Sequence, residues 1–183
     1  LDLNAGQFCS VFGHSWPGLL DIVSKQIKKI CHTNTAVITK EVLFAARDVS
    51  NICTNMKGKV IFLSTGSEAV ECALRFVKSI KQKNGLICFN NGYHGLTLGS
   101  QSVTFGGKWA VPIVDNVYSV SPPNGEITAD KLSSCLEEIE LLLKRNISKI
   151  AGFIMEPIIS VGGMCFLSNE YCEGIYNLCK KYN

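Results

Sequence analysis

A run of small polar residues between Ser64 and Ser67 has the composition of an anion-binding turn. It follows the apolar residues Val60 to Leu63 and leads into an amphipathic stretch that begins at Ser67. The first amides of a helix have no partner within the helix, and the helix dipole adds partial positive charge there. Gly66 permits another molecule to approach the backbone closely. The pattern therefore predicts a phosphate site, with an ordinary N-capped helix as the alternative.

The glycine spacing excludes the commoner nucleotide-binding loops. The sequence has no G-x-x-x-x-G-K, and the turn has one glycine where a dinucleotide-binding loop has three. Gly106-Gly107-Lys108 lacks both the earlier glycine and the following Ser or Thr. No G-x-S-x-G nucleophile elbow surrounds Ser64 or Ser67. A phosphate-bearing cofactor other than ATP or NAD therefore fits the turn better.

Predicted strands and helices alternate along the chain. Apolar runs predict strands at 1–3, 60–63, 86–89, 117–120 and 150–155. Amphipathic spacing predicts helices after Pro17, over 40–53, from Ser67, around 132–143 and over 169–181. This alternation predicts an α/β fold with a mostly parallel sheet flanked by helices. Ligands of such sheets bind at the carboxyl ends of the strands, where the turn at Ser64–Ser67, Tyr93 and Glu156 are expected to lie.

Composition and charge exclude some classes of function. The 183 residues suffice for one domain and an appendage. The net charge of +3 comes from scattered lysines, without a basic block that would predict nucleic-acid binding. No apolar run reaches the roughly 20 residues needed to span a bilayer, so no membrane partner is predicted.

The cysteines predict reduced thiols. The sequence has nine, an odd number, and no C-x-x-C. Seven lie within or beside apolar stripes: Cys31, Cys53, Cys72, Cys88, Cys135, Cys172 and Cys179. Buried free thiols and a cytoplasmic location are therefore expected. No metal site is predicted, because His14, His32 and His94 have no cysteine partner at zinc spacing.

Four motifs resemble those of the class III (subgroup II) pyridoxal-phosphate aminotransferases, in the family's order. They are Gly13-His14-Ser15-Trp16-Pro17, the phosphate-binding segment 64–71 (STGSEAVE), Gly92-Tyr93-His94-Gly95, and the strand 150–157 that ends in Glu156-Pro157. The resemblance covers essentially the whole chain. It implies a fold like the type I PLP transferases, with residues 1–40 in part of a small N-terminal segment and residues 41–183 forming the first half of the large PLP-binding domain.

The resemblance implies pyridoxal 5'-phosphate as the cofactor and assigns residues to it. Thr65, Gly66 and Ser67 would bind its phosphate, and Tyr93 would stack on its ring. Without the motif, Tyr93 would be interpreted as a core or interface tyrosine. His94 would either orient the ring or cap a turn.

Two further polar residues receive roles from the resemblance. Glu156 ends an apolar strand, where a carboxylate is costly unless paired, so a catalytic contact near the reactive side of the cofactor is expected. Gln7 matches a glutamine of the dialkylglycine decarboxylase branch that contacts the substrate carboxylate, and its alternative is an ordinary polar surface residue. His14 is interpreted as a structural turn residue.

The implied activity is transamination between an amino acid or amine and an oxo-acid. Asn4-Ala5-Gly6-Gln7 and the turn at Leu63–Gly66 are similar to the dialkylglycine decarboxylase branch, so a decarboxylating transaminase is an alternative. Val161, five residues after Glu156, stands where ornithine and 4-aminobutyrate aminotransferases have a glutamate and the decarboxylase has a serine. The amino donor therefore stays open.

The family's cofactor-linked lysine and the aspartate that pairs with the pyridinium nitrogen have no match among the 183 residues. We therefore expect the sequence to be the first part of an aminotransferase, inactive alone. A third interpretation is a non-catalytic piece that holds a phosphate or a dimer partner. The resemblance also implies a homodimer, with the large apolar side chains of Phe8, Val11, Phe12 and Trp16 at its interface or, alternatively, packed inward.

Overall fold

The computed structural model describes residues 3, 5–6, 9–34, 36–54, 58–105, 116–123 and 128–182. The chain divides into two compact units, Leu1–Ile61 and Phe62–Asn183. The boundary that the family resemblance implies, between residues 40 and 41, concerns the domains of a longer protein and stays a prediction. Of the predicted strand at 1–3, only Leu3 is described, and it lies in a turn. The candidate substrate residue Gln7 and the candidate interface residue Phe8 lie outside the described residues.

The described part of the first unit contains two helices, α1 (Pro17–Lys29) and α2 (Lys40–Thr54). Pro17 stands in the first turn of α1, where its missing N–H costs no hydrogen bond. Both predicted helices are confirmed. A 2.7 Å ion pair joins Lys29 at the end of α1 to Glu41 at the start of α2.

The apolar face predicted for α1 is exposed, since none of its residues is buried. Before this helix, Phe12 and Trp16 stack with ring centroids 5.2 Å apart, yet Phe12 remains 75% exposed. Large apolar side chains in water have a free-energy cost that burial against another surface would remove.

The second unit is built on a parallel sheet with the strand order β2-β1-β3. The strands are β1 (Gly85–Phe89), β2 (Val117–Val120) and β3 (Ile150–Phe153). Both neighbours of β1 run parallel to it. The predicted α/β fold class is therefore confirmed.

Helices cover both faces of this sheet. They are α3 (Gly66–Lys81), α4 (Leu98–Ser102), α5 (Ala129–Arg145) and α6 (Asn169–Lys181). Successive residues of β1 point to opposite faces, and all five are buried. Ile87 and Phe89 pack in the core that includes α5 and α6, whereas Leu86 and Cys88 pack with α3 and with Val103, which follows α4. A small antiparallel pair, β4 (Ile158–Ile159) and β5 (Cys165–Phe166), follows β3.

The predicted buried strand at 60–63 is wrong. These residues belong to no strand of the described chain, and Ile61, Phe62 and Leu63 are 60%, 50% and 45% exposed. A strand requires a neighbour for its backbone groups, and no described strand of the sheet pairs with residues 60–63. Apolar composition alone therefore did not make this segment a strand.

The cysteine prediction is correct in part. The eight thiols other than that of Cys9 are free, and Cys88 is buried. Cys31 and Cys53, which were expected to be buried, are exposed because they lie in or beside the two helices of the first unit, whose apolar side chains are largely exposed. Within the described ranges, no helix combines the length and apolarity needed to cross a membrane.

Candidate functional site

The candidate site begins at the N-terminus of α3, where Thr65 caps the helix. The Thr65 hydroxyl oxygen accepts a hydrogen bond from the Glu68 amide at 3.2 Å. In return, the Glu68 carboxylate accepts hydrogen bonds from the Ser64 and Thr65 amides, both at 3.0 Å. These reciprocal bonds form a capping box that fixes where the chain enters the helix, and they use the amides of Ser64, Thr65 and Glu68.

Two amides at this helix end remain available. Among the described residues, neither the Gly66 amide nor the Ser67 amide has a hydrogen-bond acceptor. A β-carbon at Gly66 would meet no protein atom within 4 Å, so the space above the helix end is open. Unpaired amides, an open approach and the positive end of a 16-residue helix dipole together suit a phosphate group.

Ser67 also joins the helix end to the segment that follows β1. Its hydroxyl oxygen accepts a hydrogen bond from the Leu96 amide at 3.2 Å, which leaves its own O–H able to donate. Gly95 has a φ of +131°, and a β-carbon there would collide with the Ser67 hydroxyl. Glycine is therefore required at this close approach, and two of the four sequence motifs are adjacent in space.

Glu156 joins the end of β3 to the same segment. One carboxylate oxygen accepts a hydrogen bond from the Tyr93 amide at 2.7 Å. The other is 3.3 Å from the Ser160 hydroxyl and 3.5 Å from its amide. These contacts compensate for the partial burial of the carboxylate, and they favour a role for Glu156 in positioning the backbone at Tyr93.

His94 is buried beside these groups, with 9% of its surface exposed. Its amide donates to the Thr104 hydroxyl at 2.8 Å, but its Nε2 has no hydrogen-bond partner among the described residues. Burial lowers the pKa of His94 below 6.5, and the negative charge of Glu156 offsets part of this effect. A β-carbon at Gly92 would lie 3.1 Å from that nitrogen, so a glycine at this position leaves room for the His94 ring.

A polar network that sequence reasoning missed stabilises the residues beyond His94. Glu71, one turn along α3 from Ser67, accepts hydrogen bonds from the Thr97 hydroxyl at 2.8 Å, the Gly99 amide at 2.9 Å and the Ser100 amide at 3.0 Å. Glu71 was visible in the phosphate-binding motif, and Thr97 lies three residues before Ser100 in capping-box spacing. No sequence signal connected the two.

The structure thus brings six of the seven predicted site residues into the second unit: Thr65, Gly66, Ser67, Tyr93, His94 and Glu156. Tyr93 follows the carboxyl end of β1, and Glu156 follows that of β3. This is the edge of a parallel sheet where ligands bind. The roles of these residues stay predictions.

Comparison with known proteins shows the family. Residues 1–183 match Aminotransferase class-III, and the chain belongs to that family. It is 32% identical to the mitochondrial acetylornithine aminotransferase of Eremothecium gossypii over 193 residues, covering 100% of this chain and 44% of that protein. It is 29% identical to the adenosylmethionine-8-amino-7-oxononanoate aminotransferase of Staphylococcus aureus over 203 residues, covering 100% of this chain and 45% of the relative.

Solved structures have the same fold. The taurine:2-oxoglutarate aminotransferase of Bifidobacterium kashiwanohense, in complex with PLP and glutamate, matches with a TM-score of 0.91 at 20% identity, over 99% of this chain and 44% of that one. An amine transaminase from an uncultivated Pseudomonas species, in its PLP-bound form, gives 0.90 at 20% identity, over 100% and 46%. The chain therefore spans less than half the length of these proteins.

Proposed function

We propose that the protein containing this chain is a pyridoxal-phosphate-dependent aminotransferase that moves an amino group between an amino acid or amine and an oxo-acid. One observation carries the proposal. The open N-terminus of α3, with its available amides at Gly66 and Ser67, lies against the segment that holds Tyr93 and His94. Membership of the class III family supports the same activity.

The donor set fits the phosphate of this cofactor. The Gly66 and Ser67 amides and the Ser67 hydroxyl supply donors, and the open space at Gly66 admits a tetrahedral anion. Thr65 contributes through its hydroxyl alone, since its amide already donates to Glu68. The proposed phosphate site therefore has fewer donors than it would have if the amides of Thr65, Gly66 and Ser67 were all available.

Tyr93 and His94 are the proposed contacts to the cofactor ring. Tyr93 is half-buried and its amide is held by Glu156, so its aromatic side chain is presented from a fixed backbone. Stacking would hold a planar ring there. The Nε2 of His94, which has no partner among the described residues, is a nearby buried polar atom that a bound group could satisfy.

When bound, the cofactor supplies an electron sink for the charge that develops as a substrate bond to the α-carbon breaks. The residues of this chain bind and orient. Gly66 and Ser67 would hold the phosphate, Tyr93 would hold the ring plane, and Glu156 would keep Tyr93 in place through its amide. Burial keeps His94 neutral at pH 7, so it can donate or accept one hydrogen bond without adding charge.

An acetylornithine-like amine is the first substrate to test, because relatives from several fungi carry that name. Gln7 is the proposed contact for a substrate carboxylate. The decarboxylating alternative gains no support from the relatives reported above, which are named transaminases. A carbon dioxide assay with a dialkylated amino acid decides between the two, since decarboxylation releases carbon dioxide and transamination does not.

The test uses the full-length protein and pyridoxal phosphate. Absorbance titration is expected to show stoichiometric binding, and acetylornithine with 2-oxoglutarate is expected to yield glutamate. Failure to bind the cofactor would contradict the proposal. Binding without turnover of any amine in a panel of diamines, ω-amino acids and taurine would instead favour the non-catalytic alternative.

We also propose a homodimer and a cytoplasmic location. The exposed Phe12 and Trp16 support a subunit interface, and the eight free thiols other than Cys9 support a reducing compartment. Sedimentation of the full-length protein at micromolar concentration tests the first proposal, and an active monomer would contradict it. Fluorescence microscopy of the full-length protein in its source cells tests the second, and mitochondrial signal would contradict it.

A further inference from the structure

The carboxylate of Glu71 connects the candidate phosphate site to the segment that holds the candidate ring contacts. We call residues 93–104 the platform segment. Glu71 lies on α3, in the same helix face as Ser67 and one turn further from the phosphate end. One of its oxygens accepts hydrogen bonds from the Thr97 hydroxyl, the Gly99 amide and the Ser100 amide, and the other accepts a second, longer bond of 3.2 Å from the Gly99 amide.

The platform segment is stabilised by internal bonds as well. The buried Thr104 hydroxyl, 1% exposed as a residue, accepts from the His94 amide at 2.8 Å and lies 3.2 Å from the Gly95 carbonyl and 2.9 Å from the Ser100 carbonyl. The buried Ser100 hydroxyl oxygen accepts a hydrogen bond from the Thr97 amide at 3.0 Å. A displacement at Ser100 is therefore transmitted to His94 through one buried hydroxyl.

Packing leaves the Glu71 carboxylate little freedom. A β-carbon at Gly99 would lie 2.6 Å from one carboxylate oxygen and 2.7 Å from the other, so this glycine permits the close approach. An ionised carboxylate has enough lone pairs to accept from the three donors that converge at this point. Charge-assisted hydrogen bonds are stronger than neutral ones, so a glutamate here is expected to rigidify the segment.

We infer that Glu71 is a positioning residue that sets the distance between the phosphate-binding helix end and the ring-binding residues Tyr93 and His94. The expected effect on cofactor binding rests on the proposed function, whereas the hydrogen bonds of Glu71 do not depend on it. A cofactor that is bound through both its phosphate and its ring requires a fixed distance between the residues that bind these two groups. A site loosened by about 1 Å loses much of its affinity.

The test compares full-length variants Glu71→Ala and Glu71→Gln with the parent. Glu173→Ala, an exposed glutamate on α6, is the matched control. Glu71→Ala is expected to weaken pyridoxal-phosphate binding by about tenfold and to change the visible circular dichroism of the bound cofactor. Glu71→Gln, which keeps an acceptor oxygen, is expected to recover most of both, and Glu173→Ala is expected to match the parent.

A second measurement needs no cofactor. Hydrogen exchange of the cofactor-free protein is expected to show faster exchange at the Gly99 and Ser100 amides in Glu71→Ala, with the β1 amides unchanged. Exchange equal to that of the parent at these two amides overturns the inference. If the parent does not bind pyridoxal phosphate, the proposed function fails, while this exchange experiment still decides the role of Glu71.

If Glu71→Ala does not fold, a milder variant still tests the inference. Gly99→Ala keeps the carboxylate but places a methyl group where its oxygens lie, and is expected to reproduce the changed circular dichroism. Parent-like affinity and circular dichroism in a folded Gly99→Ala or Glu71→Ala protein would overturn the inference.

Discussion

The Glu156 carboxylate accepts a hydrogen bond of 2.7 Å from the backbone amide of Tyr93, and so joins the carboxyl ends of β3 and β1. The bond places a charged acceptor at the turn that presents the candidate ring-stacking residue. Glu156 is also close enough to His94 to raise its pKa against the effect of burial. One carboxylate thus influences both candidate ring contacts.

Removing this carboxylate is expected to destabilise the second unit. Glu156→Ala leaves the half-buried Tyr93 amide unpaired, at a cost of about 1–3 kcal/mol in the free energy of unfolding. Glu156→Gln keeps an acceptor oxygen and is expected to lose less. Urea unfolding of the full-length variants measures both, and equal losses for alanine and glutamine would show that charge, rather than the hydrogen bond, is the important property.

A β-branched residue at the phosphate end of α3 is expected to weaken cofactor binding without unfolding the protein. The β-carbon of Gly66→Val would meet no protein atom within 4 Å, so the side chain is expected to occupy space that the proposed phosphate needs. Absorbance titration should show about a tenfold or greater loss of pyridoxal-phosphate affinity. Ala129→Val is the matched control, since Ala129 is the first residue of α5 and exposed. Parent-like affinity in Gly66→Val would remove Gly66 from the phosphate site.

The ring of Tyr93, rather than its hydroxyl, is expected to be important for cofactor affinity. Tyr93→Phe keeps the stacking surface and should bind within about threefold of the parent, whereas Tyr93→Leu should lose about 1 kcal/mol, or roughly fivefold. The same titration measures all three proteins. A greater loss for phenylalanine than for leucine would assign the contact to the hydroxyl.

Stability is expected to fall as the pH falls below about 6.5, and His94 is expected to contribute to this fall. Because burial lowers the pKa of His94, the unfolded chain binds a proton near pH 6.5 that the folded chain does not. The folded state therefore loses stability with falling pH, by at most about 1.4 kcal/mol per pH unit from this one group.

A comparison of two histidine variants isolates this contribution. His94→Gln should show a shallower decline in unfolding free energy between pH 7 and 5 than the parent. The exposed His32 is the control, and His32→Gln should leave the slope unchanged. A parent-like slope in His94→Gln would assign the decline to other groups.

Local patterns predicted much of this fold. The helix at 169–181 and the strand at 117–120 have the expected bounds, because periodicity and flanking turn residues are properties of the segment itself. The exposed 60–63 segment could not be predicted in this way, since a strand depends on a neighbour from elsewhere in the chain.

In the candidate site, too, the sequence identified some residues and missed contacts that depend on the folded chain. The resemblance identified Ser67 and Tyr93, and their segments are adjacent through the Leu96 amide and Gly95. The Glu71 network was missed because its donors lie far along the chain and acquire their acceptor only after folding. Sequence motifs mark the groups that touch a ligand more readily than those that hold them in place.

The Tyr171 hydroxyl provides a final test, in the core between the sheet and α6. Tyr171 is fully buried and stacks on Phe89, yet its hydroxyl has no hydrogen-bond partner among the described residues. Burial also raises the pKa of this hydroxyl, so it is neutral at pH 7.

A buried unpaired hydroxyl costs free energy, and Tyr171→Phe removes it while keeping the ring. We expect the free energy of unfolding to stay equal or to rise by about 1–2 kcal/mol, whereas Tyr171→Leu should lower it by creating a cavity. Urea unfolding of the full-length proteins measures both changes, and a clear loss in Tyr171→Phe would show that the hydroxyl has a partner outside the described residues.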